Sequence, residues 1–74
     1  MATDTVLADV AGSVWKIVVA VGDRVDADQE LMILESMKME IPALAPRAGV
    51  VDRLLVAEGD AVSEGQALVL LRSG

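Results

Sequence analysis

Few side chains in this sequence can do chemistry, and the lysines are the main candidates. The chain has no Cys and no His, which excludes disulfides, Cys or His metal sites and catalysis by either residue. Two lysines are present, Lys16 and Lys38. Each carries an amine that can be acylated, but an unperturbed lysine has a pKa near ~10.4, so only about one in ~10³ molecules is neutral at pH 7. A partner enzyme must therefore activate such an amine, and the sequence predicts a substrate protein, not an enzyme.

An internal repeat organises the chain around these lysines. A shift of 37 residues aligns residues 5–37 with 42–74, and 14 of the 33 pairs are identical. Some identical pairs are not explained by a bias toward Val, Ala and Leu: Gly22-Asp23 with Gly59-Asp60, and Gln29 with Gln66. The repeat predicts one domain over residues 1–74 whose two halves are related by a pseudo-twofold axis.

The repeat also separates core from surface. Positions that are apolar in both copies are predicted to be core: 14/51, 17/54, 19/56, 25/62, 31/68, 33/70 and 34/71. Positions that are charged in at least one copy are predicted to be surface: 15/52, 16/53, 21/58 and 27/64. Trp15, the one aromatic residue, is therefore expected at the edge of the core, which suits its amphipathic ring.

The elements of each copy are predicted to be short strands separated by turns. Strands at intervals of about 8–12 residues are typical of an all-β sandwich or barrel. Residues 30–40 consist largely of good helix formers and alone would favour a helix of three turns. Their repeat partner, residues 67–71, is only a short apolar run, and Pro42 limits a helix. We therefore predict a strand there.

Lys38 and Lys16 differ in their place in the repeat. Lys16 aligns with Arg53 within a strand, which is typical of a solvated face. Lys38 lies between the copies, so the pseudo-twofold matches its turn to the two chain ends. We expect an exposed tip, away from both termini.

This predicted tip breaks a local rule. A two-residue hairpin turn favours Asn or Gly because both central residues need φ > 0, and Met37 with Lys38 are poor choices. From spacing alone two interpretations stay open. Either the turn is functional, or Met37 and Met39 pack into the core and Lys38 merely solvates the turn.

Met37-Lys38-Met39, preceded by Glu35 and joining two half-repeats that each contain Gly-Asp, resembles the biotinyl/lipoyl attachment domain family. The resemblance covers about residues 4–72 and is greatest to free-standing biotin attachment proteins and biotin carboxyl carrier domains. Lipoyl domains typically carry Asp-Lys-Ala at the centre. Ser36 departs from the usual Ala, and the chain lacks a thumb insertion, an Ala/Pro-rich linker and an upstream catalytic domain. These departures leave the partner enzyme open.

The resemblance implies a fold and a function. The fold would be a flattened β-barrel or sandwich of two four-stranded antiparallel sheets, a barrel-sandwich hybrid, with Lys38 on a hairpin turn. A biotin protein ligase would attach biotin to Lys38, with Glu35, Ser36, Met37 and Met39 as flanking recognition residues. The swinging biotin arm would carry CO₂ from a biotin carboxylase to a carboxyltransferase. A lipoyl carrier, or an unmodified interaction module of the same fold, stays as an alternative.

Charge and composition narrow the partners further. The net charge of -6, the pI near 4.2 and the absence of Tyr and Phe argue against a nucleic-acid partner. The longest apolar run, residues 17–21, is far shorter than the ~20 residues of a membrane-spanning helix. No basic segment of the signal-peptide type opens the chain. We expect no metal and no membrane partner, a cytoplasmic location, a monomer when isolated and, from Met1 and the intact second copy, a complete gene product.

Overall fold

Residues 3–73 are described by the computed structural model; Met1, which entered the expectation of a complete chain, lies outside them. They form eight strands: β1 (Thr3–Leu7), β2 (Gly12–Ile17), β3 (Arg24–Val25), β4 (Glu30–Ser36), β5 (Met39–Leu44), β6 (Gly49–Leu54), β7 (Ala61–Val62) and β8 (Ala67–Arg72). The strands build two four-stranded sheets in the orders β1-β8-β6-β3 and β5-β4-β2-β7, with antiparallel pairing. The predicted all-β sandwich is confirmed. Over the described residues the ladders leave two separate sheets, so the barrel is not closed.

The two copies of the repeat are interleaved in the sheets. Each sheet takes two strands from each copy, and the strand registers repeat with the same shift as the sequence. Ser13 pairs with Glu35 between β2 and β4, and the equivalent Val50 pairs with Arg72 between β6 and β8. Neither copy can complete a sheet alone, which gives the repeat a structural reason.

The polar residues that are identical in both copies, Gly-Asp and Gln, lie in turns. Asp23 accepts a hydrogen bond at Oδ2 from the Ala20 N–H at 2.8 Å, and Asp60 does the same from Ala57 at 2.9 Å. The Gln side chains serve the second turn of each copy in the same way, Gln29 accepting from Asp26 N–H and Gln66 from Ser63 N–H, both at 3.0 Å. The Asp and Gln residues that are identical in both copies therefore stabilise the turns.

Gly22 and Gly59 place the first turn of each copy against the other copy. Their φ angles are 97° and 92°, in the region that only glycine adopts at low cost. The Gly22 N–H donates to the Val51 carbonyl and the Gly59 N–H to the Val14 carbonyl, both at 2.8 Å. These reciprocal bonds fasten each half to a core strand of the other.

The core is apolar and lies between the two sheets. Its buried members are Val6, Ala8, Val14, Val25, Leu31, Met32, Leu34, Ala43, Ala45, Val51, Val62, Leu68, Val69 and Leu71. The predicted core positions 14/51, 25/62, 31/68 and 34/71 are confirmed, and 17/54 and 19/56 pack against its margin. The predicted surface positions 15/52, 16/53, 21/58 and 27/64 are all exposed, and Trp15 is 51% exposed.

The prediction that positions 33/70 belong to the core is wrong. Ile33 and Leu70 are half-buried, whereas the neighbouring pair Met32 and Val69 is fully buried. The cause is a β-bulge in each copy: the pairing register shifts across Leu31 and across Leu68. A bulge adds one residue to a strand and so puts two successive side chains on the same face.

The segment Glu30–Ser36, whose composition alone favours a helix, is a strand that pairs with both β2 and β5. Its intrinsic helix propensity is overridden by two flanking ladders and by a buried face. Among residues 3–73 there is no helix long and apolar enough to cross a membrane.

The molecule is elongated, 36 × 17 × 17 Å, and the β4–β5 turn lies at the opposite end from the paired residues Thr3 of β1 and Arg72 of β8. Strand β2 starts beside the end of β4, where Gly12 approaches Glu35. The chain then runs away from that end to Gly22, which bonds to Val51 beside Leu71 and the end of β8. The turn is therefore distant from Thr3 and Arg72, whereas the termini named in the prediction lie outside the described residues.

Candidate functional site

The turn between β4 and β5 is a two-residue hairpin turn. Ser36 pairs with Met39, and Met37 and Lys38 are the central residues, with φ of 52° and 65°. Both values are positive, as the hairpin geometry requires. Left-handed backbone costs a residue other than glycine about 1–2 kcal/mol. The predicted strained tip is therefore present.

The methionines at this turn are exposed. Met37 is 92% exposed and Met39 is 63% exposed, whereas Met32, on the same hairpin, is fully buried. The interpretation in which Met37 and Met39 pack into the core is wrong. Exposed thioethers offer a soft, polarisable surface that adapts to more than one partner.

Two carboxylates flank the turn on facing strands. Glu35 on β4 is the cross-strand partner of Glu40 on β5, and both are exposed. Like charges placed directly opposite each other on a sheet are destabilising. The exposed Lys38 follows at the tip, between these two glutamates in the sequence.

The structure thus brings all five predicted site residues to one place. Glu35, Met37, Lys38 and Met39 are exposed, and Ser36 is half-buried at the end of β4. Within the described part of the chain, no group of three or more acidic side chains is arranged to hold a metal ion. The chemistry that this arrangement can support is acylation of the Lys38 amine by an external enzyme.

One surface feature was not predicted from the sequence. A groove of about 290 Å³ runs between the edge strands β1 and β5 and is lined by residues of both, including Leu7 and Leu44. These two leucines are equivalent in the repeat and are 50% and 43% exposed. The sequence shows that Leu7 and Leu44 are equivalent, but it does not show that their strands are neighbouring edges, because strand order does not follow from a one-dimensional repeat.

The sandwich and its exposed lysine turn define the class of protein: a small domain that presents an acylatable amine at one end. Residues 5–71 match the biotin/lipoyl family model, which is described as biotin-requiring enzyme. The chain belongs to this family of attachment domains.

Curated relatives support the same assignment. The chain is 54% identical over 43 residues to the biotin/lipoyl attachment protein of Bacillus subtilis, a match covering 58% of this chain and 59% of the relative. It is 51% identical over 45 residues to biotinylated protein TB7.3 of Mycobacterium tuberculosis, covering 61% of this chain and 62% of the relative. The matches thus span about six tenths of the length of these relatives.

Solved structures show where this kind of domain occurs. The chain superposes on part of the urea carboxylase of Kluyveromyces lactis with a TM-score of 0.92 and 32% identity, covering 97% of this chain and 6% of that one. A single-chain, multi-domain long-chain acyl-CoA carboxylase gives a TM-score of 0.90 and 32% identity, over 97% of this chain and 7% of that one. The protein is an attachment domain of the biotin carboxyl carrier type, similar to a small part of each carboxylase.

Proposed function

We propose that Lys38 is the covalent attachment point for biotin and that the domain is a biotin carboxyl carrier. The observation that carries this proposal is the Met37-Lys38-Met39 sequence on an exposed turn with two positive φ angles. Membership of the family supports it, and so does similarity to proteins named for their biotin.

The chain's own part in attachment is to present one amine. Lys38 Nζ loses a proton to a base of the biotin protein ligase and attacks the activated carboxyl carbon of biotin. The amide bond forms as the activating group leaves. Glu35, Ser36, Met37 and Met39 present the surface that the ligase recognises, and Lys38 is exposed on the turn between them.

The attached group would meet little obstruction at this site. With Met37, Lys38 and Met39 exposed, a long arm on Lys38 can leave the surface freely. Biotin supplies a ureido nitrogen that holds CO₂. The chain itself supplies no catalytic residue in this proposal; the partners are a biotin carboxylase and a carboxyltransferase, toward which the net charge of -6 helps steer it.

The wider setting belongs to the same proposal. Residues 1–74 act as a single carrier domain in the cytoplasm, monomeric when isolated. Each carboxylase that resembles it is a much longer chain, of which this domain spans only 6% and 7%. We therefore place the carboxylase and carboxyltransferase activities outside these 74 residues.

The test is transfer of biotin by a purified biotin protein ligase with ATP, followed by intact-mass measurement. We expect the parent protein and Lys16→Arg to gain one biotinyl group, and Lys38→Arg to gain none, because a guanidinium does not replace the acylatable amine. Labelling that survives Lys38→Arg and disappears with Lys16→Arg would overturn the site.

The mass of the protein from its native cell separates the alternatives. A biotinyl group supports the proposal. A lipoyl group on Lys38 would make the domain a lipoyl carrier, and a bare lysine under conditions of biotin sufficiency would make it an unmodified interaction module. Both of these outcomes reject a biotin carrier function.

A further inference from the structure

Gly12 makes an unusually close approach to the base of the Lys38 turn. A Cβ placed on Gly12 would overlap the Glu35 carbonyl oxygen, and would lie 3.1 Å from the Glu35 carbonyl carbon and 3.3 Å from the Ser36 Cβ. The oxygen is a backbone atom, so no change of rotamer relieves the overlap. Any other residue at position 12 must push the end of β4 away from β2.

The other half of the repeat provides a matched position. A Cβ on Gly49 would lie 2.7 Å from the Arg72 carbonyl oxygen, so the close approach is shared by both halves. The two positions differ in the surroundings of that carbonyl. Near Gly12, the third closest atom is the Ser36 Cβ at 3.3 Å, and Ser36 leads directly into the strained turn. Near Gly49, the third closest atom is the Leu71 Cβ at 3.9 Å.

We propose that Gly12 is a positioning residue for Lys38. Its missing side chain lets β2 hold the Glu35 carbonyl and Ser36 in place, and this fixed base holds the next two residues at positive φ. Such conformations persist only where the surroundings over-determine them. Since Lys38 is three residues beyond Glu35, a displacement of the β4 end is passed directly to the amine. The biological consequence rests on the proposed attachment of biotin to Lys38.

The experiment compares Gly12→Ala with Gly49→Ala. Both variants create an overlap with a backbone carbonyl oxygen, but the approach is closer at Gly12, so Gly12→Ala should lose more stability than Gly49→Ala in urea denaturation. At a temperature where both are folded, kcat/KM for ligase-catalysed biotin transfer should fall by about tenfold or more for Gly12→Ala, because small misplacements of a reacting group are costly. For Gly49→Ala it should match that of the parent.

A spectroscopic readout tests the position of the turn without any enzyme. Positive φ brings an amide proton close to the Hα of its own residue and gives a strong intraresidue NOE. We expect this signal at Met37 and Lys38 to weaken in Gly12→Ala and to stay unchanged in Gly49→Ala. If Gly12→Ala does not fold, Ser36→Val crowds the same contact from the other side and should weaken the same signals.

Two results would overturn the proposal. One is an equal loss of kcat/KM in both glycine variants, which would indicate general instability. The other is an unchanged turn NOE in folded Gly12→Ala and in folded Ser36→Val. If the parent protein accepts no biotin, the proposed function fails, and the NOE comparison still decides whether Gly12 positions the turn.

Discussion

The two ends of the molecule have the same backbone ladders and opposite chemistry. At the end where β1 starts and β8 finishes, Arg72 faces Thr3 across the ladder and lies 3.8 Å from Asp52, and an Asp4–Arg47 contact of 3.3 Å is nearby. At the tip, the equivalents of Arg72 and Thr3 are Glu35 and Glu40, which repel. One end therefore follows the rules of stability, and the other departs from them.

The comparison shows that the features which lower stability are concentrated at the end that carries the proposed attachment site. Surface ion pairs such as those at the chain ends contribute little, about 0–1 kcal/mol each. The tip contains several features that lower stability: a like-charge pair, two strained residues and the exposed Met37 and Met39. Departures from local rules are expected at functional sites. Among the other described residues, Asp28 also has a positive φ, 67°, where the equivalent Gly65 has 84°. The like-charge pair and the exposed methionines distinguish the tip from the rest of the repeat.

Among the substitutions in turns, the largest effect on stability should come from the two turns that both halves share. Gly22→Val and Gly59→Val should each destabilise the fold by about 1–3 kcal/mol, because valine is forced to positive φ. No atom outside the adjacent residues lies within 4 Å of a Cβ at either position, so the cost is conformational and should be nearly equal. Urea denaturation measures both. One large loss beside one negligible loss would break the equivalence of the halves.

The tip should become more stable when its function is removed. Replacing Met37 with Asn and Lys38 with Gly supplies the residues that this hairpin geometry prefers. We expect a gain of roughly 1–2 kcal/mol in the free energy of unfolding, together with complete loss of biotin transfer. Thermal and urea denaturation check the gain. A loss of stability would show that the two native residues are not strained.

The smallest effect on stability should come from the methionines. Met37→Ala combined with Met39→Ala should change the free energy of unfolding by less than about 0.5 kcal/mol, as for most surface substitutions. The same variant should slow biotin transfer. Met32→Ala is the buried control and should cost about 2–5 kcal/mol. A double variant that melts early but accepts biotin normally would contradict a recognition role.

Much of the fold followed from the repeat because a repeated pattern acts as an internal alignment. It separated buried Val14 and Val51 from exposed Trp15, and it outweighed the helix propensity of residues 30–40. It also predicted the turn at Lys38, since this residue lies between the copies and has no equivalent in the second one. The positive φ angles there followed from the length of the turn.

The features that the sequence did not predict all depend on how the strands pair in three dimensions. The bulges at Leu31 and Leu68 shift which side chains face inward, and no residue type announces them. The exchange of strands between sheets was also hidden, because a repeat shows that halves are alike but not which strands they share. The close contact under Gly12 was missed for the same reason, since glycine there reports a neighbour distant in sequence.

The strand pairs formed by one half of the chain recur in the other half, which suggests how such a molecule could arise. Two separate peptides of half this length could make every cross-strand pair as a symmetric dimer, and a single short link would turn that dimer into one chain. Met37 and Lys38 are that link. Lys38, the acceptor in the proposed function, therefore lies where the repeat requires no matching residue. We expect that exchanging this link alone would change the attached group while both halves keep their fold.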